Sequence, residues 1–257
     1  GVAPADMVLP ASLALDAQAA LEALFRACAA EAECAARHPR LAERWGELLA
    51  SLPRTVSVID PVRGTVEPFL ESGTAKDRFK GCNDLIFAKN GDLYFTDQGT
   101  TGLHDPTGCV YRYTTGGKLD CLINNIPSPN GLVFNRKENE LFVAVTRASS
   151  VWRIPMDEAG AATKVGLFVQ LFCPGPDGLA LDEDGNVVVT HPGLGLVWVF
   201  SKRGEPLYQV KSCAGEMTTN IAYGGEDRKT LYIVDSAKAN ILVAHMPVAG
   251  KLMYSHT

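Results

Sequence analysis

The sequence predicts a mainly β protein, a β-propeller of about four and a half blades behind an N-terminal helical hairpin. Two observations carry the propeller. From Thr55 onward the chain is short alternating strands broken by Gly, Asn-Gly and Asp-Gly. Within it, NDLIFAKNGDLYFTD, NGLVFNRKENELFVAV, DGLALDEDGNVVVTH and TNIAYGGEDRKTLYIVD share one template: an Asn or Asp, an apolar strand, a polar turn and a second apolar strand. The anchors Asn83, Asn130, Asp177 and Asn220 are 47, 47 and 43 residues apart. That period, with about four strands in each, is the sequence mark of propeller blades.

Residues 1–54 read as helix. Leu21, Leu24, Phe25 and Cys28 lie on one helical face, and Leu41, Trp45, Leu48, Leu49 and Leu52 on another, entered through Pro39. The propeller domain is expected over 55–257, opening with a hairpin of Thr55–Asp60 and Thr65–Leu70 around Pro61–Gly64. The outer strands pair as VYRYTT with KLDCLI, SSVWRIPM with KVGLFV, GLVWVFSK with EPLYQV, and NILVAHM with the C-terminal KLMYSH. A propeller must close its ring or leave sheet edges bare. The count therefore predicts cover by the helical piece together with subunit pairing, most simply a homodimer.

Composition excludes some functions. The net charge of −5 and the lack of any Lys/Arg cluster argue against nucleic acid as a partner. Asp16 and Glu22 interrupt the most apolar stretch, so no membrane span is expected and a soluble protein is, cytoplasmic or secreted. Of the seven cysteines, Cys28 and Cys34 are spaced for a local disulfide. Cys82, Cys109, Cys121, Cys173 and Cys213 lack zinc-ligand spacing and read as small buried apolar residues.

Equivalent residues of successive blades converge on one rim of the channel, so the four anchors would gather side-chain oxygens there. Carboxamide and carboxylate oxygens with one formal charge suit Ca²⁺ and suit Zn²⁺ or copper poorly. Pro-Asn-Gly and Pro-Asp-Gly are also ordinary turn tripeptides, and it is their recurrence in phase that points to a site. His104 and His191 follow second-strand ends and read as structural. Asp182–Gly185 reads as a β-turn, because the EF-hand Glu position falls on Gly193.

The phrases NDLIFAKNGDLYFTDQG, PSPNGLVF, GPDGLALDEDGN and TTNIAYGG resemble the senescence-marker-protein (regucalcin), gluconolactonase and luciferin-regenerating-enzyme family of six-bladed propellers, over roughly residues 64–257. The resemblance implies one divalent metal, usually calcium, with Asn130 and Asp177 among its ligands. It implies that Asn83 contacts substrate or a metal-bound water. The family's opening Glu motif is absent upstream of Asn83, and Gly81 stands where an Arg is frequent. The first blade and a half thus read as lost. VLPASLALDAQAALEALFRACAAEAECAARHPRLAERWGELL resembles the lid of tripeptidyl-aminopeptidase-like α/β-hydrolases, without any GxSxG elbow, which suggests a chimeric junction.

The function expected is metal-dependent hydrolysis of a small lactone or carboxylic ester. Asn130 and Asp177 hold the ion and carry the catalysis, Asp177 serves as base, Asn83 orients the substrate and Asn220 lines the pocket. The alternatives are a non-catalytic truncated scaffold, which the missing Glu motif favours, and a metal-independent esterase.

Overall fold

Apolar alternation and turn chemistry build the strands where the sequence places them. The computed structural model describes residues 26, 29–37, 39, 40, 42–44, 55–60, 65–71 and 79–254. The chain divides into two compact units, Gly1–Cys82 and Asn83–Thr257.

In the first unit, helix α1 spans Ala32–Arg37. Strands β1 (Thr55–Asp60) and β2 (Thr65–Glu71) form an antiparallel hairpin with Asp60 opposite Thr65. The helical faces expected from Leu21 to Cys28 and from Leu41 to Leu52 lie outside the described residues. Cys34 is disulfide-bonded; Cys28, its expected partner, also lies outside them.

The second unit holds four small antiparallel sheets in chain order, the blades of a propeller. The first comprises β3 (Cys82–Phe87), β4 (Leu93–Asp97), β5 (Gly108–Tyr113) and β6 (Leu119–Ile126). The second comprises β7 (Pro129–Phe134), β8 (Glu140–Val145), β9 (Ser150–Pro155) and β10 (Gly166–Gln170). The third comprises β11 (Leu179–Leu181), β12 (Val187–His191), β13 (Leu196–Phe200) and β14 (Pro206–Lys211). The fourth has three strands, β15 (Thr218–Gly224), β16 (Thr230–Asp235) and β17 (Asn240–His245).

The second strands β4, β8 and β12 are buried almost throughout, because both of their faces pack against neighbouring blades. Phe95, Val143, Val145, Val187 and Val189 are at most 1% exposed. Hairpin turns carry Gly91 and Gly185 at φ +86°, a left-handed backbone that suits Gly. In the β11–β12 turn, both Asp182 oxygens accept hydrogen bonds from Asn186, its N–H and its carboxamide, at 2.8 Å. This is the β-turn read from the sequence.

Two expectations fail. Among the described residues, Lys251–Tyr254 of KLMYSH add no fourth strand to the last blade; Ser255 and His256 lie outside them. After Pro247 the tail runs instead along the hairpin ends. Gly250 N–H donates to Arg228 O, and Lys251 N–H to Leu181 O, each at 2.8 Å. The five cysteines expected as buried apolar residues are also not uniformly buried. Cys109 is, but Cys121, Cys173 and Cys213 are exposed, on an outer strand and on loops.

Candidate functional site

Main-chain and hydroxyl bonds between the inner strands set the site. Thr96 Oγ1 donates to Asn130 O (2.9 Å), Gly131 N–H to Asp177 O (3.1 Å), and Gly178 N–H to Thr219 O (2.9 Å). Each blade is thereby tied to the next at the anchor position. Glycine is required there: a Cβ on Gly131 would collide with Asp177 O, and one on Gly178 would collide with Asn220 Oδ1.

These bonds also fix which residues are equivalent. Asp177 and Thr219 accept from glycines at matching places, so Asn83, Asn130, Asp177 and Thr219 share one register. Thr96 Oγ1 contacts Asp84 O at 3.4 Å as Thr190 Oγ1 contacts Gly178 O at 3.2 Å. Asp84 and Asn220 therefore stand where the middle blades have Gly131 and Gly178. Asn220 is one residue out of phase with the other three anchors, and its Oδ1 accepts from Ile221 N–H at 2.8 Å.

Three polar side chains, Asp84, Asn130 and Asp177, are linked electrostatically. Asn130 is buried in β7, and its side chain favours the charged form of Asp177. Asp84 accepts from Leu85 N–H at 2.8 Å, and the Leu132 N–H on the next blade also favours its charged form. Withdrawal from water raises Asp177 to about 7; the charge of Asp84 adds to this and the Asn130 bond partly offsets it. Withdrawal from water likewise raises Asp84 to about 6, against the lowering effect of its two N–H donors. Two carboxyls that interact so compete for ionisation. Asp84 is a functional candidate that the sequence motifs pass over, although it lies beside Asn83.

Asn83 is part-buried, and its Nδ2 donates to Gln98 Oε1. Gln98 Nε2 in turn donates to Ser128 Oγ at 2.6 Å. His191 is fully buried: Trp198 Nε1 donates to its Nδ1 at 3.1 Å, and its Nε2 faces the carbonyls of Phe172 and Pro174. An acceptor at Nδ1 and carbonyls at Nε2 place the proton on Nε2, a structural role.

Among the described residues, no three His, Cys, Asp or Glu side chains are grouped to hold a metal. The donors so linked are the carboxylates of Asp84 and Asp177 and the carboxamide of Asn130. An all-oxygen set with two competing carboxylates fits a hard divalent cation, which would relieve their repulsion. No described helix is long and apolar enough to cross a membrane.

A family profile described as "SMP-30/Gluconolactonase/LRE-like region" matches residues 12–237. It begins inside the N-terminal stretch, so the likeness of that stretch to a hydrolase lid gains no support, and a junction of unrelated pieces is not shown. A gluconolactonase of Zymomonas mobilis is 31% identical over 207 residues, 74% of this chain and 56% of the relative. A Staphylococcus aureus protein named lactonase drp35 is 34% identical over 134 residues, 50% of this chain and 41% of the relative. The chain thus spans about half the length of these relatives. Among solved structures, a calcium-binding regucalcin from Agrobacterium tumefaciens superposes with a TM-score of 0.65 at 21% identity. That match covers 77% of this chain and 71% of the regucalcin, and it bears on the fold alone.

Proposed function

The chain belongs to the SMP-30/gluconolactonase/LRE-like family, and from that premise we propose that it hydrolyses small lactones or carboxylic esters at the Asp84–Asn130–Asp177 cluster. The observation that carries this reading is the acid pair itself. In the cation-free chain burial raises the Asp177 carboxyl to about 7, and a carboxyl so perturbed beside a second one marks a functional cluster. The names of the relatives, gluconolactonase and lactonase, support the substrate class.

Water attacks the acyl carbon, its proton passes to the Asp177 carboxylate, and the ring C–O bond breaks. The same proton then goes to the departing alkoxide oxygen, leaving a hydroxycarboxylic acid whose carboxyl releases its own proton to solvent. Asn130 holds Asp177 in place, Asn83 orients the substrate, and Asn220 lines the pocket beside Gly178. Asp177, Asn130 and Asp84 would hold a divalent cation, most simply Ca²⁺. When bound, it supplies a Lewis acid that draws charge from the carbonyl oxygen.

Exchange of Asp177 for Ala should lower kcat/KM on a lactone and p-nitrophenyl ester panel by about a hundredfold or more. A variant that folds and keeps wild-type turnover would end this mechanism. The homodimer expected from the sequence rests on an incomplete ring, and among the described residues the last blade adds an unpaired outer edge to it. There β17 borders a three-stranded sheet and exposes Ile241 and Val243. Light scattering at micromolar concentration should give twice the chain mass, and a monomer would contradict it.

A further inference from the structure

The most fully bonded polar unit beside the acid pair lies between the first two blades. Asn83 Nδ2 donates to Gln98 Oε1, and Gln98 Nε2 donates to Ser128 Oγ at 2.6 Å. Ser128 is fixed on two further sides: its N–H donates to Thr101 Oγ1 (3.1 Å), and its carbonyl accepts from Thr146 N–H (3.0 Å). Thr101 Oγ1 donates back to Gln98 O at 2.6 Å, which closes the loop.

Ser128 is 2% exposed and has φ 66°. It stands immediately before Pro129 and two residues before Asn130. A non-glycine residue holds such a backbone only where its surroundings over-determine it, and these positions cluster at working sites. Thr146, which bonds Ser128 O, also donates its hydroxyl to Pro176 O at 2.8 Å, next to Asp177. The unit is therefore braced against both Asn130 and Asp177.

Its free end is Asn83 Oδ1, which accepts no hydrogen bond from any described residue. Turning the Asn83 amide alone would set its oxygen against Gln98 Oε1. In this arrangement, with Ser128 Oγ accepting from Gln98, the atom of Asn83 left for a ligand is an acceptor.

We propose that Gln98, anchored by Ser128, is a positioning residue that holds the Asn83 carboxamide with its oxygen free to accept a hydroxyl of the substrate. This rests on the lactone-hydrolase reading. It concerns Gln98 and Ser128, neither of which holds the acid pair.

The test compares wild type, Gln98→Met and Gln98→Glu on a lactone bearing a hydroxyl next to the carbonyl and on its unsubstituted counterpart. Met removes both bonds. Glu can accept from Asn83 and from the Ser128 hydroxyl at once. For Gln98→Met, KM for the hydroxylated lactone should rise about tenfold, the loss expected for one hydrogen bond, with kcat little changed and the unsubstituted lactone unaffected. Gln98→Glu should restore most of the KM. An unchanged KM, or an equal change on both lactones, would overturn the proposal, since a merely structural role would move both.

Should Gln98→Met not fold, Ser128→Gly takes its place. It suits the left-handed backbone, removes the hydroxyl, and should show the same one-sided rise in KM. A wild type inert on every lactone would sink the hydrolase reading separately. Calorimetric binding of the matching hydroxycarboxylate would then decide: tenfold weaker binding by the Gln98→Met protein supports the positioning role, and equal or no binding in wild type and variant overturns it.

Discussion

Burial raises both Asp84 and Asp177, the charge of Asp84 adding to the rise at Asp177, and this carries a cost in stability. Both folded-state values, about 6 and about 7, lie above the ordinary carboxylate value of 3.8. The sign follows directly. The stability these groups contribute is complete below about pH 4 and is lost as pH rises through 6 and 7, where the unfolded chain is already ionised. Each tenfold difference in proton affinity between folded and unfolded chain is worth about 1.4 kcal/mol. Without a divalent cation the protein should therefore lose a few kcal/mol of stability between pH 4 and pH 8. Chemical denaturation at the two pH values checks this. Asp177→Asn removes one charge of the pair and should be more stable than wild type at pH 8 by about 1–3 kcal/mol, yet no more stable at pH 4. A variant less stable at pH 8 would contradict the charge competition. Asn130 and Asp177 were legible because Pro-Asn-Gly and Pro-Asp-Gly repeat in phase. Asp84 was not: its partner is 93 residues away, and in sequence it is only the second letter of Asn-Asp. The placing of Asn220 slipped for a related reason, since Thr219 offers no motif and only the Gly178 N–H bond to Thr219 O reveals the register.

At the scale of elements, the strands were legible because each alternates over a few residues and ends at Gly, Pro or Asn. The departure is the tail after β17. Its continuation as a strand looked natural from KLMYSH, but its partners are scattered along the chain and leave no periodic trace. The tail is a strap. Ala249 O accepts from Glu183 N–H in the third blade (2.8 Å), and Arg228 in the fourth donates to Gly250 O (2.6 Å). Lys251 Nζ pairs with Glu138 of the second at 3.0 Å, and Tyr254 stacks on Phe87 of the first at 5.4 Å. All four blades are thereby joined at the hairpin end, opposite the anchor residues. The Lys251–Glu138 pair is nearly dry, with side chains 6% and 15% exposed. Breaking one partner of such a pair strands the other charge. Lys251→Met should cost about 2–4 kcal/mol in urea unfolding, and adding Glu138→Gln should recover part of it. A loss under about 0.5 kcal/mol would show that the strap contributes little, as for an ordinary surface pair.

Over the whole molecule, the blade pattern puts the acid pair at one end of the second unit and the strap at the other. Asn130 and Asp177 come together because each inner strand is bonded at the same end to its neighbour, as Gly131 N–H to Asp177 O, so residues 47 apart in sequence share one site. The central claim is that Asp84, Asn130 and Asp177 form a hydrolytic centre that works with a divalent cation. The most direct test is turnover of a small-lactone panel before EDTA, after EDTA, and after Ca²⁺ is added back. The account predicts loss of activity to the chelator and recovery with calcium. Lactone turnover indifferent to EDTA would contradict it.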